Sequence, residues 1–213
     1  MAASDRYGRA GHVGAEFAGR ARQLIREVEA AEPATDACLI RLIDRIGRRL
    51  AHKRTLRKDM LIGLVHDWRT APELQRFRVA FSQTKDEVFE DQLIGARMRP
   101  AANAAWNGWE PRLLVERLSL RTGKKSTWMD QQITASISLH AIARWLSRNR
   151  DNSEAALLRD LGLLSANQEI ATPFAVTTPH GRWVGELIAV RDDTQTSPIY
   201  SARTFLAAGM DVE

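Results

Sequence analysis

A single cysteine, Cys38, stands in the 213 residues, which excludes an intramolecular disulfide and leaves no thiolate set for a zinc cage. No stretch reaches the roughly 20 consecutive apolar residues of a membrane helix, so no membrane partner is expected. The N-terminal MAASDRYGRAGHVGAEF lacks the apolar core of a secretory signal, and the cytosol is the expected compartment. The five histidines, His12, His52, His66, His140 and His180, show no HxxxH or HxH spacing, so no metal and no cofactor is expected. A phosphate-binding loop is absent too. RTGKKST at 121–127 has Leu118 where the pattern needs glycine and Lys125 where it needs Ser or Thr. There is no internal repeat and no low-complexity tract.

What is present is the balance of a globular chain, 44% hydrophobic and 27% charged, long enough for one substantial core or two small ones. The formal charge is +5, carried mostly by arginine, whose planar guanidinium suits bidentate phosphate recognition. Arg41, Arg45, Arg48, Arg49, Lys53, Arg54, Arg57 and Lys58 face one acid, Asp44, a local net +7 that exceeds the whole chain's +5. An amphipathic helix so charged can lie along a phosphate backbone, which makes Arg41, Arg45, Arg48, Arg49, Lys53 and Arg54 the candidate nucleic-acid contacts.

The pattern predicts an α+β protein: an all-helical basic N-terminal region over 1–100 and an α+β domain over 101–213, in which helices pack on a three-stranded antiparallel meander. Phe17, Ala21, Leu24, Ile25 and Val28 form one helical stripe that Pro33 should end. Thr35 or Asp36 would cap a second helix carrying Leu39, Leu42, Ile43, Ile46 and Leu50. Further helices are expected at 56–69, 72–82 and 84–98, the last opened by the capping box Thr84-x-x-Glu87. The turn-prone segment 100–111 is the expected domain boundary. Beyond it, helices are expected at 112–122, stopped by Gly123, at 129–149, and at 154–161 behind Asp151 or Ser153. From Thr172 the residues turn β-branched and aromatic, in the strands FAVTT, RWVGELIAVR and IYSARTFL.

Two clusters have plain structural explanations. Asp86, Glu87, Glu90 and Asp91 share a helical spacing, but acids favour a helix's first turn and no histidine is near in sequence. The tryptophans Trp68, Trp106, Trp109, Trp128, Trp145 and Trp183 could stack on bases but are mainly expected as core anchors.

The stretch SLHAIARWLSRNR at 138–150 is more specific. With Leu139 at the centre of the buried stripe and about 100° per residue, His140 falls at about 100°, Arg144 at about 140° and Arg148 at about 180°. That places the histidine on the core margin and the arginines progressively outward. A partly desolvated imidazole can titrate near neutrality, and adjacent guanidiniums can hold a phosphate and its developing charge.

The order of elements, with H-x-x-x-R-x-x-x-R on a helix ahead of a compact sheet whose last strand reads SARTFL, resembles the toxin-type ribonucleases grouped with RelE, colicin D, barnase and EndoU. The resemblance covers about residues 136–206. It implies metal-independent cleavage of RNA, with His140 in proton transfer, Arg144 and Arg148 on the phosphate, and Arg203 or Thr204 completing the site. It also implies RNA rather than DNA as ligand, and a protein antidote or partner. In a regular strand Thr204 would share a face with Tyr200, and Arg203 with Phe205. His180, in the Pro-His-Gly turn, is the other candidate acid or base. The competing readings are a non-catalytic nucleic-acid-binding regulator or mobile-element accessory protein using the Arg41 to Lys58 helix, and a protein-interaction scaffold.

Overall fold

The computed structural model describes residues 14–52, 63, 66–67, 70–75, 78–84, 91–100, 111–122, 127–151, 153–166, 171–191 and 196–207. They form an α+β fold: α1 (Ala15–His52), α2 (Pro72–Gln75), β1 (Arg78–Thr84), β2 (Asp91–Pro100), β3 (Arg112–Thr122), β4 (Thr127–Ser138), α3 (Leu139–Arg148), α4 (Glu154–Ala166), β5 (Phe174–Thr178), β6 (Gly181–Arg191) and β7 (Thr196–Ala207). The strands make one seven-stranded sheet in the order β1-β2-β3-β4-β7-β6-β5. Every neighbour pair is antiparallel except β4 with β7, which run parallel.

The expected meander is therefore corrected. β5, β6 and β7 do pair consecutively, but as one end of a mixed sheet more than twice as wide. The all-helical reading of 1–100 also fails, because β1 and β2 occupy 78–84 and 91–100, and the Thr84 capping box is the end of a strand. The boundary expected within 100–111 is spanned by the β2–β3 ladder, from Pro100↔Leu113 to Asp91↔Thr122. The helix expected at 112–122 is β3, and the one expected at 129–149 is β4 followed by α3. RTGKKST lies across the β3–β4 connection, with Thr122 paired to Thr127.

Pro33 does not end its helix. It lies inside α1, where Ala21, Ile25 and Val28 join the main core and Cys38, Leu39 and Leu42 join a second cluster with Leu118 of β3. Burial on both sides of the proline outweighs the backbone hydrogen bond that its ring removes. Thr35, expected as a cap, is buried mid-helix and donates its hydroxyl to the Ala31 carbonyl at 2.6 Å.

α3 begins at Ser138, whose Oγ accepts from the Ala141 backbone amide at 3.1 Å, and ends where the Asn149 side-chain Nδ2 donates to the Trp145 carbonyl at 2.8 Å. α4 begins behind Ser153, which accepts from the Ala156 amide at 3.3 Å, and continues through Gly162 to Ala166. Both helices pack into the main core with Met98, Val115, Ile137, Trp183 and Phe205 of the sheet. Among the described residues, no helix is long and apolar enough to cross a membrane.

Candidate functional site at the junction of α3 and β7

β4 pairs with β7 only from Ala135↔Tyr200 to Ile137↔Ala202, because β4 stops at Ser138 and turns into α3. The carbonyls of the following β7 residues thus lose their strand partner, and α3 supplies replacements. Ser138 Oγ donates to the Arg203 carbonyl at 3.3 Å, and the Arg148 guanidinium donates to the Phe205 carbonyl. Between them, Arg144 Nη1 donates to Thr204 Oγ1 at 2.7 Å. The structure so brings together Arg144, Arg148 and Thr204.

Arg203 is not part of this group. Its side chain is 56% exposed and pairs with Glu186 at 2.7 Å. The reason is a register shift: Val184 pairs with Thr204 but Gly185 with Ala202, so Arg203 is an extra residue bulged from β7. The bulge also reverses the expected alternation. Tyr200, Ala202 and Phe205 all enter the main core, so Phe205 shares a core with Tyr200 rather than a face with Arg203. Gly185 is required opposite the bulge, since a Cβ there would stand 2.0 Å from the Ser201 carbonyl oxygen.

The helical wheel is corrected as well. His140 is exposed, whereas Arg144 is only 6% exposed and Arg148 is half-buried. The buried arc of α3 includes Ala141, Ile142, Ala143, Arg144, Trp145 and Leu146, so it is centred between Ile142 and Trp145 and not on Leu139. On that centre His140 lies about 180° away. Core contacts from both α1 and β7 widen the arc and enclose Arg144.

The electrostatics of the two arginines are unusual. Burial, followed by the charge of Arg148, pushes the Arg144 guanidinium below the ordinary arginine value, and burial does the same to Arg148. Both remain charged at neutral pH. Arg144 Nε and Nη2 are buried without a hydrogen-bond partner, and no carboxylate pairs with either arginine among the described residues. Arg99 offers the contrast: burial opposes its charge, but Glu116 at 2.7 Å and Glu32 at 3.1 Å more than offset it and raise its pKa.

A second polar cluster adjoins α3. Asp160 of α4 is fully buried, and its Oδ2 accepts from Trp145 Nε1 and Thr178 Oγ1, each at 2.8 Å. Its Oδ1 lies 2.9 Å from His180 Nδ1. The His180 ring is 20% exposed and stands edge-on to Trp145, with centroids 5.7 Å apart. Sequence reasoning singled out His180 but missed Asp160. The signal was there: with Leu157, Leu161 and Leu164, Asp160 occupies the i+3 place on the apolar stripe of α4, and an acid on such a stripe needs buried donors.

The basic helix face is partly neutralised. Arg41 pairs with Glu73 at 3.1 Å and Arg45 pairs with Asp67, while Arg48 donates to the Asp44 carbonyl at 3.4 Å. Arg49 is exposed. Lys53, Arg54, Arg57 and Lys58 lie outside the described residues, as do most of the helix expected at 56–69 and the acids Asp86, Glu87 and Glu90. Trp145 and Trp183 are completely buried, as expected of core anchors; Trp68, Trp106 and Trp109 lie outside the described residues, and the Trp128 side chain is not described. Among the described residues, no group of three or more His, Cys, Asp or Glu is placed to hold a metal. Comparison with protein-family models, with curated proteins and with solved structures finds no match.

Proposed function

We propose that this protein is a metal-independent, ribonuclease-like protein that acts on RNA phosphodiesters at the junction of α3 and β7. The observation that carries the reading is the Arg144–Arg148 pair. Two guanidiniums, one buried and one half-buried, stand a helical turn apart with no carboxylate among the described residues to balance them. Burying an unpaired charge is costly, and a fold that needed only packing there would be served by an aliphatic side chain. A phosphodiester supplies the missing negative charge, and its charge grows as the phosphorane forms, which is when fixed guanidiniums stabilise it most. Thr204, held by Arg144, orients that guanidinium.

Proton transfer falls to a histidine. His140 stands exposed one turn before Arg144, and His180 adjoins α3 through Trp145. The alternative of binding without cleavage through α1 is less favoured, because Arg41 and Arg45 already have carboxylate partners.

The test is incubation of the purified protein with total RNA in EDTA. Defined fragments are expected, and they should disappear in Arg144→Met and Arg148→Met. Intact RNA with the unsubstituted protein would remove the ribonuclease reading, while a gel shift without cleavage would favour the binding protein.

A further inference from the structure

A buried carboxylate is tolerated when it is hydrogen-bonded, and Asp160 has three partners, from α3, from β5 and from the turn that follows β5. The arrangement does more than satisfy Asp160. An acceptor at Nδ1 fixes the proton of neutral imidazole on that nitrogen and leaves Nε2 as the basic one. His180 Nε2 has no hydrogen-bond partner among the described residues, and the ring is partly open to solvent. Trp145 holds the ring edge-on and also donates to the same carboxylate, so tilt and tautomer are set together.

The location matters as much as the geometry. His180 sits in the turn between β5 and β6, beside Trp145. It also acts electrostatically on Asp151, three residues beyond Arg148, whose carboxyl is held below its usual value chiefly by Ser153 hydrogen bonds and in smaller part by His180. Gly181, the next residue, pairs with Ala207, two residues past the Phe205 carbonyl that Arg148 grips. His140 begins the same helix about 12 Å along its axis from Arg148.

We infer that His180, positioned by Asp160, is the proton-transfer residue that works with Arg148 on an RNA phosphodiester. This rests on the ribonuclease reading. Nε2 takes the proton of the ribose 2′-hydroxyl as its oxygen forms a bond to phosphorus. The bond from phosphorus to the 5′-oxygen then breaks, and the imidazolium returns the proton to that oxygen. The products are a 2′,3′-cyclic phosphate and a 5′-hydroxyl, with no redox change and no co-reactant. Asp160 is a positioning residue: it stabilises the imidazolium and does not touch substrate.

The experiment measures single-turnover cleavage of a labelled RNA oligonucleotide in EDTA from pH 5 to 9, with binding followed separately by fluorescence anisotropy. His180→Ala should cleave about 10²- to 10⁴-fold more slowly while binding within a few-fold of the unsubstituted protein, and added imidazole should restore part of the rate. Asp160→Asn should slow cleavage while binding stays within a few-fold of the unsubstituted protein, because an amide no longer fixes the Nδ1 tautomer of His180. Should Asp160→Asn fail to fold, imidazole rescue of His180→Ala decides alone. Unchanged cleavage by His180→Ala would overturn the assignment and leave the ribonuclease reading intact. Lost cleavage with no rescue and a lowered melting temperature would make His180 structural and overturn it too. RNA left intact by the unsubstituted protein at every pH would overturn both.

Discussion

The guanidinium of Arg148 takes the place of a missing strand: it donates to the Phe205 carbonyl just beyond the point where β4 leaves β7. Arg144, one turn earlier, holds only Thr204 among the described residues, and two of its nitrogens are buried without a hydrogen-bond partner among them. The two arginines should therefore respond differently to removal.

Arg144→Met keeps most of the side-chain volume and removes an uncompensated charge. Stability should stay level or rise by about 1 kcal/mol, since replacing buried charge with a packed apolar chain is often neutral or favourable. RNA affinity should fall, and the slope of log affinity against log salt should flatten by about one phosphate contact. Denaturant unfolding and a salt titration check the two halves. A clear loss of stability would make Arg144 a structural residue.

Asp160 is the acceptor for Trp145 and Thr178 inside the core. Asp160→Ala strands the Trp145 indole N–H, while the Thr178 hydroxyl keeps the Gly181 carbonyl at 3.1 Å, and a destabilisation of about 1–3 kcal/mol is expected from urea unfolding. Thr178→Val removes a single donor and should cost about 1 kcal/mol.

Gly185 faces the Arg203 bulge with no room for a side chain, as the Ser201 carbonyl oxygen would lie 2.0 Å from a Cβ. Gly185→Ala should lower stability by at least about 2 kcal/mol, because the obstruction is backbone and the bulge must be displaced. Gly19 is the comparison: a Cβ there meets nothing within 4 Å, and Gly19→Ala on α1 should stabilise by about 0.5–1 kcal/mol.

Cys38 supplies a pH dependence. Burial, aided by Glu73, raises its thiol pKa above the ordinary value despite the opposing Arg41 and Arg45. A raised folded-state pKa means that stability is fully present below the unfolded thiol's pKa and is lost as pH rises through the folded one. Denaturant midpoints should thus decline on the alkaline side less in Cys38→Ala than in the unsubstituted protein. Iodoacetamide should alkylate native Cys38 far more slowly than unfolded Cys38.

The α+β class and the last three strands were legible in the sequence, because β-branched and aromatic residues between turn signals leave little choice. β3 and β4 were not. RLLVERLSLRT is rich in leucine and arginine, which favour helix in isolation, and its alternation Arg117-Leu118-Ser119-Leu120-Arg121 is short. In β4 the alternation of Thr134, Ser136 and Ser138 with Ala135 and Ile137 carries the same period, but it runs directly into the helical pattern of α3 and was absorbed by it.

The site was legible in composition more than in geometry. Arg144, Arg148 and Thr204, named from the sequence, do lie at one junction, but His140 does not join them, and the order of burial along α3 differs from the wheel because Ile142 and Trp145, not Leu139, centre the buried stripe. The one-residue bulge at Arg203 leaves no trace in local propensity. It follows from which strands pair, and that choice involves residues far apart in the chain.

The parallel join of β4 to β7 has a consequence for assembly. Residues 135–137 find their partners only at 200–202, whereas the ladders β1–β2, β2–β3 and β3–β4 each link neighbours in the chain. During synthesis the four-stranded half can therefore zip early, with β4 as an open edge, and wait there until β7 emerges. The guanidinium pair on α3 meets Thr204 and the Phe205 carbonyl only at that last closure, so the site comes into existence with the final seam of the sheet.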